Sequence, residues 1–364
     1  MKISHISVKN FKSIKKLNLD GLPKFSVLIG ENGVGKSNLM SVFPFLRDCV
    51  VCGNINEVVG QIGIGRLWHN GNTKLPIEIA ITFGDGVLNV IKYSIKIVCD
   101  NHKAVVEDEK LIGLKNNYEI HNRRGVCAIG GNVEHIDNAD AALSIFGRIP
   151  RYKSASIVYN FLKNVRVANI ETTVVRSGFP KDSRRISCCG DDLKSVALNM
   201  QEKFPILFNS VREQMRRALG ITSIKLKKLP MGNIALLFAK DKKIIPEWEI
   251  SDGTLILFAH YVLLEQPLTS SILCVETPNL SHKNLVCLAE AMRLKARAKN
   301  SQILSISHSP GFISALRQDE VFYVVMEENN TIVKPLRGNK EIESCSVDIP
   351  LSELYSNGFI DAVM

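Results

Sequence analysis

The segment GENGVGKS, residues 30–37, fits the phosphate-binding pattern G-x-x-x-x-G-K-[ST]. Its glycines allow backbone N–H groups to turn toward phosphate oxygens, Lys36 can place its charge on the β- and γ-phosphates, and Ser37 can offer its hydroxyl to Mg²⁺. An apolar strand, KFSVLIG, precedes the segment, and a helical pattern, KSNLMSVFPFL, follows it. The pattern therefore predicts a nucleotide site formed by Gly30, Glu31, Asn32, Gly33, Val34, Gly35, Lys36, Ser37 and Asn38.

A second group of polar residues, Ser251, Asp252 and Gly253, stands directly before the apolar helical pattern TLILFAHYVLL. A serine and a glycine at the start of a helix can bind a phosphate through hydroxyl and N–H groups. The same residues can equally form a plain helix cap, with Ser251 or Asp252 as the N-cap residue. Residue types alone favour the plain cap over the phosphate contact.

A single carboxylate ends the apolar run ILCV in the segment SSILCVETPNLSH, residues 270–282. Nucleotide hydrolases usually carry two adjacent acids at such a place, one to support the metal and one to activate water. Here Glu276 is followed by Thr277, whose hydroxyl cannot act as a general base near neutral pH, and general-base help contributes about 10²–10⁴ in rate. His308 follows a further apolar run in LSISHSP. The candidate catalytic residues are thus Glu276, Thr277 and His308.

The sequence predicts that a mixture of α-helices and β-strands positions these residues. Two strands open the sequence, and residues 76–98 predict an antiparallel hairpin with GDG as its turn. From Tyr152 onward the periodicity becomes helical, with Asp191 or Asp192 as an N-cap and Gly220 as a C-cap. Strands return in SIKLKKL and NIALLFAK, and strands and helices alternate after Thr254. Such alternation predicts a largely parallel sheet.

Composition restricts the class of protein. The 364 residues include 46 basic and 36 acidic side chains, a net charge of +10, and are 45% hydrophobic. The start of the chain has no signal-like apolar core and no run is long enough to span a bilayer, so we expect a cytoplasmic protein without a membrane partner. The nine cysteines, including the single C-x-x-C at Cys49–Cys52, predict reduced thiols rather than zinc ligands. Basic clusters at residues 12–16, 123–124, 225–228 and 240–243 leave open nucleic-acid contact or a solvated face.

The order of these motifs resembles the ABC-type ATPases of the RecF/SMC/OLD group and the AAA_21 "predicted ATPase" family, whose members carry LSDGT, IEEPENGLHP and THSP. The segments NFKSI, DDLKSVALNMQEKFP and LSELYSNGFI are also similar to that family. The resemblance implies an α/β, RecF/SMC-head-like P-loop ATPase with an antiparallel β-subdomain and a helical insertion. We expect one domain over 1–364, made of a P-loop and β-hairpin lobe (1–135), a helical insertion (136–220) and a lobe with the signature, acidic strand and histidine (221–364).

By the same resemblance, residues 30–38 would bind ATP and Mg²⁺ in one copy, and Ser251 and Gly253 would contact the γ-phosphate held by another. Two copies would then join head to tail around ATP, as a homodimer or higher oligomer. His308 would be the switch histidine near the γ-phosphate, against the alternative of a satisfied buried histidine. Gln61 is a weak candidate for a metal-linked glutamine, since a surface polar residue is the simpler interpretation. Ile256 replaces the family's usual arginine after SDGTL.

The family pattern can be aligned with CVETPNLSH in two registers. Matching His282 places Glu276 at the water-activating position and Val275 at the metal position. Matching Pro278 places Glu276 at the metal position and Thr277 at the water-activating position. We favour the second register, because Mg²⁺ needs an oxygen ligand where the first register puts a valine.

The resemblance implies a switch that hydrolyses ATP slowly and controls a separate effector, a nuclease or toxin, or the engagement of nucleic acid, as in bacterial anti-phage defence. The alternatives are a non-hydrolysing scaffold that needs ATP for assembly and a RecF-like DNA-repair ATPase. The roughly two hundred residues between the P-loop and Ser251 hold no extended heptads, so we expect no SMC-like coiled-coil arm. The short segment after His308 predicts no Toprim nuclease.

Overall fold

The computed structural model describes residues 1–84, 90–113, 118–178, 183–230, 232–266, 270–298 and 301–364. The strands, in chain order, are β1 (Ile3–Phe11), β2 (Ile14–Asp20), β3 (Phe25–Ile29), β4 (Ile77–Phe83), β5 (Ile91–Asp100), β6 (Lys103–Ile112), β7 (Tyr118–Arg123), β8 (Val126–Ile129), β9 (Asn132–His135), β10 (Arg166–Ala168), β11 (Ser223–Lys228), β12 (Ile234–Lys240), β13 (Lys243–Pro246), β14 (Ile272–Glu276), β15 (Gln302–Ile306), β16 (Val321–Glu327) and β17 (Asn330–Pro335).

The α-helices, in chain order, are α1 (Lys36–Met40), α2 (Val42–Cys52), α3 (Ile55–Ile62), α4 (Ile64–Leu67), α5 (Ala142–Phe146), α6 (Lys153–Lys163), α7 (Thr172–Ser177), α8 (Leu193–Lys203), α9 (Pro205–Leu219), α10 (Asp252–Glu265), α11 (His282–Ala298), α12 (Pro310–Ile313), α13 (Lys340–Cys345), α14 (Leu351–Ser356) and α15 (Phe359–Val363). Short 3₁₀ turns lie at His69–Gly71 and Gln318–Glu320. Within the described ranges, none of these helices is both long and apolar enough to cross a bilayer.

A six-stranded sheet in the order β10-β14-β15-β3-β16-β17 lies at the centre of the fold. Every neighbouring pair is parallel except the hairpin of β16 and β17, which confirms the predicted largely parallel sheet. An eight-stranded antiparallel sheet, β2-β1-β4-β5-β6-β7-β8-β9, and a small antiparallel sheet, β11-β12-β13, complete the β-structure of the described residues. Parallel sheets need cover on both faces, and here each face of the central sheet has a hydrophobic core.

Successive residues of the central strands point into opposite cores. In β14, Ile272 and Cys274 pack into the core shared with the antiparallel sheet and α2, α3, α5 and α6. Leu273 and Val275 pack into the core formed with α8–α11 and the three-stranded sheet. This period of two explains why the strand reads as a continuous apolar run rather than as an alternation.

The predicted hairpin of residues 76–98 is present as β4 and β5, paired antiparallel from Ile77↔Ile97 to Phe83↔Ile91. Its GDG turn falls partly on residues 85–89, which lie outside the described residues. The hairpin is only the middle of a longer sheet, because β6 to β9 continue the meander, and the sequence pattern did not predict those strands.

The long helical pattern after Asp191 forms two helices, α8 and α9. Phe204 and Pro205 separate them, and Pro205 occupies the first turn of α9, where its missing N–H costs nothing. Asp192 is the N-cap position of α8, and Gly220 ends α9 in the left-handed conformation at φ 71°, as predicted. All nine cysteines are free thiols. The division into three lobes stays a prediction.

Glu109 is a fully buried carboxylate that joins the antiparallel sheet to the helical segment. Its oxygens accept hydrogen bonds from the backbone N–H groups of Ala142 (2.6 Å) and Leu143 (3.0 Å) at the start of α5, and from the Tyr93 hydroxyl (3.0 Å). Burial raises the pKa of Glu109, while these donors act in the opposite direction. The carboxylate therefore satisfies N–H groups that would otherwise be buried without an acceptor.

We expect Glu109→Ala to lower the free energy of unfolding by about 1–3 kcal/mol for each N–H group left without a partner. Glu109→Gln keeps one carbonyl acceptor and should cost less. The matched control is Glu107→Ala on the same strand, which removes a partly exposed ion pair with Lys96 and should change stability by about 0–1 kcal/mol. Urea unfolding measures all three variants, and equal midpoints for Glu109→Ala and Glu107→Ala would contradict the assigned role.

Candidate functional site

The carboxyl ends of three adjacent parallel strands form the site. Glu276 is the last residue of β14 and pairs with Ile306 at the end of β15, while Ile306 pairs with Leu28 near the end of β3. Ligands of open α/β sheets bind at this edge. The register therefore brings together the loop after β3, the acid that ends β14 and the segment after β15 that contains His308.

The loop after β3 has a backbone that only glycine accommodates at two positions. Gly35 adopts φ 98°, and a Cβ added there would lie 2.0 Å from the Thr331 Oγ1 atom. Gly30 adopts φ 139°, and its Cβ would lie 2.2 Å from the carbonyl oxygen of Val324. The loop thus fits tightly against β16 and β17 on one side, as a phosphate cradle requires.

Side chains from distant parts of the sequence hold this loop. The Thr331 hydroxyl donates to the Val34 carbonyl at 2.9 Å and lies 2.7 Å from the Ser13 hydroxyl. The Asn38 amide donates to Ser13 Oγ at 2.7 Å, and the Tyr355 hydroxyl donates to the Gly30 carbonyl at 3.2 Å. Sequence reasoning missed Thr331 and Tyr355 as supports, and Ser13 had only one signal, its place in NFKSI.

Lys36 is folded into the loop that precedes it. Its side chain is buried, and its Nζ donates to the carbonyls of Gly30 (3.0 Å) and Glu31. Burial lowers the pKa of Lys36 to about 8, with the nearby carboxylates of Glu276 and Glu31 acting in the opposite direction. The ammonium group is thus hydrogen-bonded to backbone carbonyls and interacts electrostatically with the Glu276 carboxylate. From this position it can rotate toward phosphate oxygens.

Glu276 and Thr277 are neighbours in sequence but have different environments. Glu276 is exposed at the strand end, where its charge acts on both Lys36 and His308. The Thr277 hydroxyl donates to the Ile306 carbonyl at 3.0 Å and lies 2.9 Å from the buried Ser307 hydroxyl. Thr277 is therefore bonded to the neighbouring strand, whereas Glu276 is exposed and close enough to the loop for its charge to act on Lys36.

His308 lies at the same edge, against the backbone of Gly30. Partial burial lowers the pKa of His308 and the charge of Lys36 acts in the same direction, whereas Glu276 and the Gly30 backbone oppose them. The residue as a whole is exposed, which does not fit a fully buried histidine. Its role as a switch stays a prediction.

The segment before α10 is a helix cap supported by a side chain of α7. Ser251 is the N-cap residue, and its hydroxyl accepts a hydrogen bond from the Thr254 N–H at 3.3 Å. Arg176 of α7 donates to the Ile250 carbonyl and to the Asp252 carboxylate, both at 2.7 Å. A Cβ on Gly253 would lie 3.4 Å from Leu280. Cap and phosphate contact are compatible, since Ser251 and Asp252 stay exposed; the phosphate contact stays a prediction.

The structure also gives the positions of Gln61 and Ile256. Gln61 is exposed on α3, and its link to a metal stays a prediction. Ile256, which replaces the family's usual arginine, is half-buried on the second turn of α10. The nearby guanidinium of Arg176, which sequence reasoning missed, comes from a different helix and holds the loop rather than a ligand.

The donor atoms at this edge fit a magnesium nucleotide. Ser37 and Glu276 supply hard oxygen donors, and Mg²⁺ in nucleotide sites takes few protein oxygens together with phosphates and water. In the part of the chain that the structure describes, no group of three or more His, Cys, Asp and Glu side chains forms a closed metal site of its own. The glycine cradle and Lys36 fit the phosphates, which would supply the remaining ligands.

The lowered pKa of Lys36 predicts a pH dependence of ATP affinity. Lys36 is protonated below about pH 8 and loses its charge as the pH rises through that value, while bound phosphates favour the charged form. We expect the dissociation constant for ATP to rise about tenfold between pH 7 and pH 9. Calorimetry across this range measures it, with Lys36→Arg as the control, since a guanidinium stays charged and its profile should be flat. A flat profile for the unaltered protein would contradict the assigned pKa.

Two family models match the chain. The AAA ATPase domain family, AAA_15, matches residues 1–225, and AAA_21, whose description names an AAA domain and the AbiEii toxin of a Type IV TA system, matches residues 169–314. A solved SMC head, bound to the C-terminal winged-helix domain of ScpA, superposes with a TM-score of 0.55 at 14% identity and covers 94% of this chain and 100% of that chain. This likeness concerns the fold, which is the predicted ABC-type, SMC-head-like α/β fold with an antiparallel β-subdomain.

Curated relatives match shorter segments. An ATP/GTP phosphatase of Helicobacter pylori is 26% identical over 117 residues, which cover 29% of this chain and 31% of that protein. RecF of Lactobacillus acidophilus is 41% identical over 46 residues, 13% of this chain and 12% of that protein. Endonuclease GajA of Bacillus cereus is 31% identical over 83 residues, 22% of this chain and 13% of that protein. The chain spans about a third or less of these relatives. From its glycine loop and the match over residues 1–225, it belongs to the AAA_15 family of AAA ATPase domains.

Proposed function

We propose that this protein binds ATP with Mg²⁺ at residues 30–38, uses the nucleotide to join two copies head to tail, and hydrolyses it slowly. The observation that carries the proposal is the contrast between Glu276 and Thr277. The Glu276 carboxylate is exposed and its charge acts on Lys36, whereas the Thr277 hydroxyl is bonded to the neighbouring strand. Within the described residues, the end of β14 therefore offers a metal-supporting oxygen and no second carboxylate beside it.

Residues of the loop and of the sheet edge each have a separate role in binding and hydrolysing ATP. The loop amides and Lys36 bind and orient the phosphates, and Ser37 and Glu276 hold the metal, which neutralises phosphate charge when bound. His308, which lies against the Gly30 backbone and within reach of the charges of Lys36 and Glu276, can hydrogen-bond to a terminal phosphate or its water. Among the described residues, the position after Glu276 holds no carboxylate to remove a proton from the attacking water, and the lack of such a base lowers the rate by about 10²–10⁴.

The head-to-tail arrangement is supported by the geometry of the cap before α10. Ser251 and Asp252 are exposed at the start of a 14-residue helix, and Arg176 and the Lys194–Glu247 ion pair (2.9 Å) hold the preceding segment. A helix start fixed in this way presents a hydroxyl and N–H groups outward, toward a phosphate that another copy supplies. Gly253 gives that phosphate close access to the backbone.

The output of such a switch is control of a separate effector, a nuclease or toxin, in defence against phage. The support is associational: relatives with matching segments are named as an endonuclease and as a RecF protein, and one family description names a toxin. The rival function is a scaffold that binds ATP without hydrolysing it, and the rate of turnover separates the two.

We expect Thr277→Glu to raise the ATPase rate by about 10²-fold or more, because it restores a carboxylate next to Glu276. Glu276→Gln should raise the Mg²⁺ concentration needed for ATP binding, because the amide is a poorer ligand. Phosphate release and Mg²⁺ titrations of ATP binding measure these changes, and Thr277→Ser, which keeps the hydroxyl bonds, is the control. A fast wild type that Thr277→Glu leaves unchanged would overturn slow hydrolysis, and a loss of turnover in Glu276→Gln at unaltered Mg²⁺ dependence would favour the first register.

We expect a non-hydrolysable ATP analogue to convert the monomer to a dimer, and Ser251→Glu to prevent this, since a carboxylate would repel the phosphate held by the other copy. Light scattering after size-exclusion chromatography measures the mass. Ser94→Glu makes the same change on the solvent face of the antiparallel sheet and should dimerise like the unaltered protein. A monomer at saturating analogue, or a dimer of unchanged stability in Ser251→Glu, would reject the head-to-tail arrangement.

A further inference from the structure

An open groove of about 660 Å³ lies along α6, on a part of the fold that the nucleotide site does not use. One wall is the exposed face of α6, with Lys153, Ile157, Asn160 and Lys163 spaced so that they line one side of the helix. The other wall is the turn before the helix, which contributes Arg148. Three cations thus line a channel whose length along α6, from Lys153 to Lys163, is about 15 Å at 1.5 Å per residue.

Two of the three cations of this groove, Arg148 and Lys163, make contacts that are not ion pairs. The Arg148 guanidinium and the Lys163 ammonium both lie 5.7 Å from the centre of the Tyr159 ring, and Arg148 also donates to the Val51 carbonyl at 3.3 Å. Among the residues that line the groove there is no carboxylate. Glu119 belongs to the neighbouring strand, and its carboxylate accepts from the backbone N–H groups of Ser154 and Ala155.

A second groove, on the outer face of the antiparallel sheet, is a basic surface whose charges are neutralised, and it serves as a comparison. It has a similar volume, about 650 Å³, but its lysines are paired: Lys9 with Glu78, Lys96 with Glu107 and Lys110 with Asp108, at 2.6–2.7 Å. Each of these three lysines has its own carboxylate, and Arg123 shares Asp108 with Lys110 at 3.5 Å. In the groove along α6, by contrast, the positive charges of Arg148, Lys153 and Lys163 form no ion pair within the described residues, so an anionic ligand would be the first to compensate them.

The spacing of the three cations favours a ligand with several negative charges in a row. A single phosphate reaches one end of a 15 Å channel, whereas a phosphodiester chain places one negative charge after another along it. Between Lys153 and Lys163 the floor carries an exposed apolar side chain, Ile157, and an amide, Asn160. Apolar and amide groups between cations suit the bases of an unpaired strand, because a duplex would turn only its phosphates to the groove.

We propose that the groove along α6 binds single-stranded nucleic acid, with Arg148, Lys153 and Lys163 contacting successive phosphates. The inference deepens the proposed function by giving the ATP-dependent switch a nucleic-acid partner. The effect of that partner on the switch rests on the proposed function, whereas the binding itself does not. The groove is joined to the nucleotide loop by α1 and α2: α6 packs on α2, and Arg148 contacts the carbonyl of Val51 in the last turn of α2.

The test is fluorescence anisotropy with a labelled 20-nucleotide DNA strand and the RNA strand of the same sequence, in the absence of ATP. We expect binding that weakens with salt, and the variant Lys153→Ala/Lys163→Ala should bind at least tenfold more weakly. Its slope of log Kd against log salt should fall by about 1.4, since each lost phosphate contact removes about 0.7 for a single strand. Whichever of DNA and RNA binds more tightly identifies the sugar.

The matched control is Lys225→Ala/Lys227→Ala, which removes the same charge from the exposed face of β11 and should bind within twofold of the unaltered protein. Thermal unfolding verifies that both variants fold, as expected for exposed lysines. Equal losses in the two variants, unaltered binding by the groove variant, or competition by polyglutamate as strong as by unlabelled DNA would each overturn the proposal. A stronger affinity for the duplex would overturn the choice of a single strand. Because ATP is absent, these outcomes are independent of the ATPase and dimer measurements.

Discussion

The position of β3 between β15 and β16 is the constraint on which the site depends. All five residues of β3 are buried, and the strand is hydrogen-bonded in parallel to both neighbours. The loop that follows therefore leaves the sheet at a fixed point, with β16 and β17 on one side and the segment that contains His308 on the other. The tight approach of Gly30 to Val324 and of Gly35 to Thr331 follows from this position, because the loop has no room for side chains on that side.

Local patterns were sufficient for the parts of the site that lie within one segment. The glycine loop, the acid at the end of an apolar run and the serine before an apolar helix are each defined by neighbours in sequence, and the structure places the first two together at one sheet edge. The largely parallel sheet was also predictable, since strand–helix alternation after Thr254 permits few other arrangements. The break between α8 and α9 was foreseeable from Pro205, but the continuous apolar periodicity concealed it.

What the sequence could not indicate are contacts between residues far apart in the chain. Thr331 and Ser13, which hold the nucleotide loop, are 318 residues apart. Strands β6 to β9 have mixed polar and apolar residues rather than a strong pattern of their own. β6 pairs with the edge of β5, and each later strand pairs with the one before it. The basic groove is different, because Arg148, Lys153 and Lys163 are close in sequence: they lie outside the basic clusters that the sequence suggested, and the helical spacing of α6 brings Lys153 and Lys163 to one face.

The helices α1 and α2 connect the nucleotide loop to the groove proposed for nucleic acid. Pro44 has no N–H to donate to the Met40 carbonyl, and the two helices are separated at Ser41; together the residues from Lys36 to Cys52 amount to about 25 Å of helix at 1.5 Å per residue. One end begins in the nucleotide loop and the other is contacted by Arg148. Any shift of this helix pair that changes the affinity for ATP in the presence of a nucleic-acid strand must change the affinity for the strand in the presence of ATP by the same factor, because coupling free energies are reciprocal.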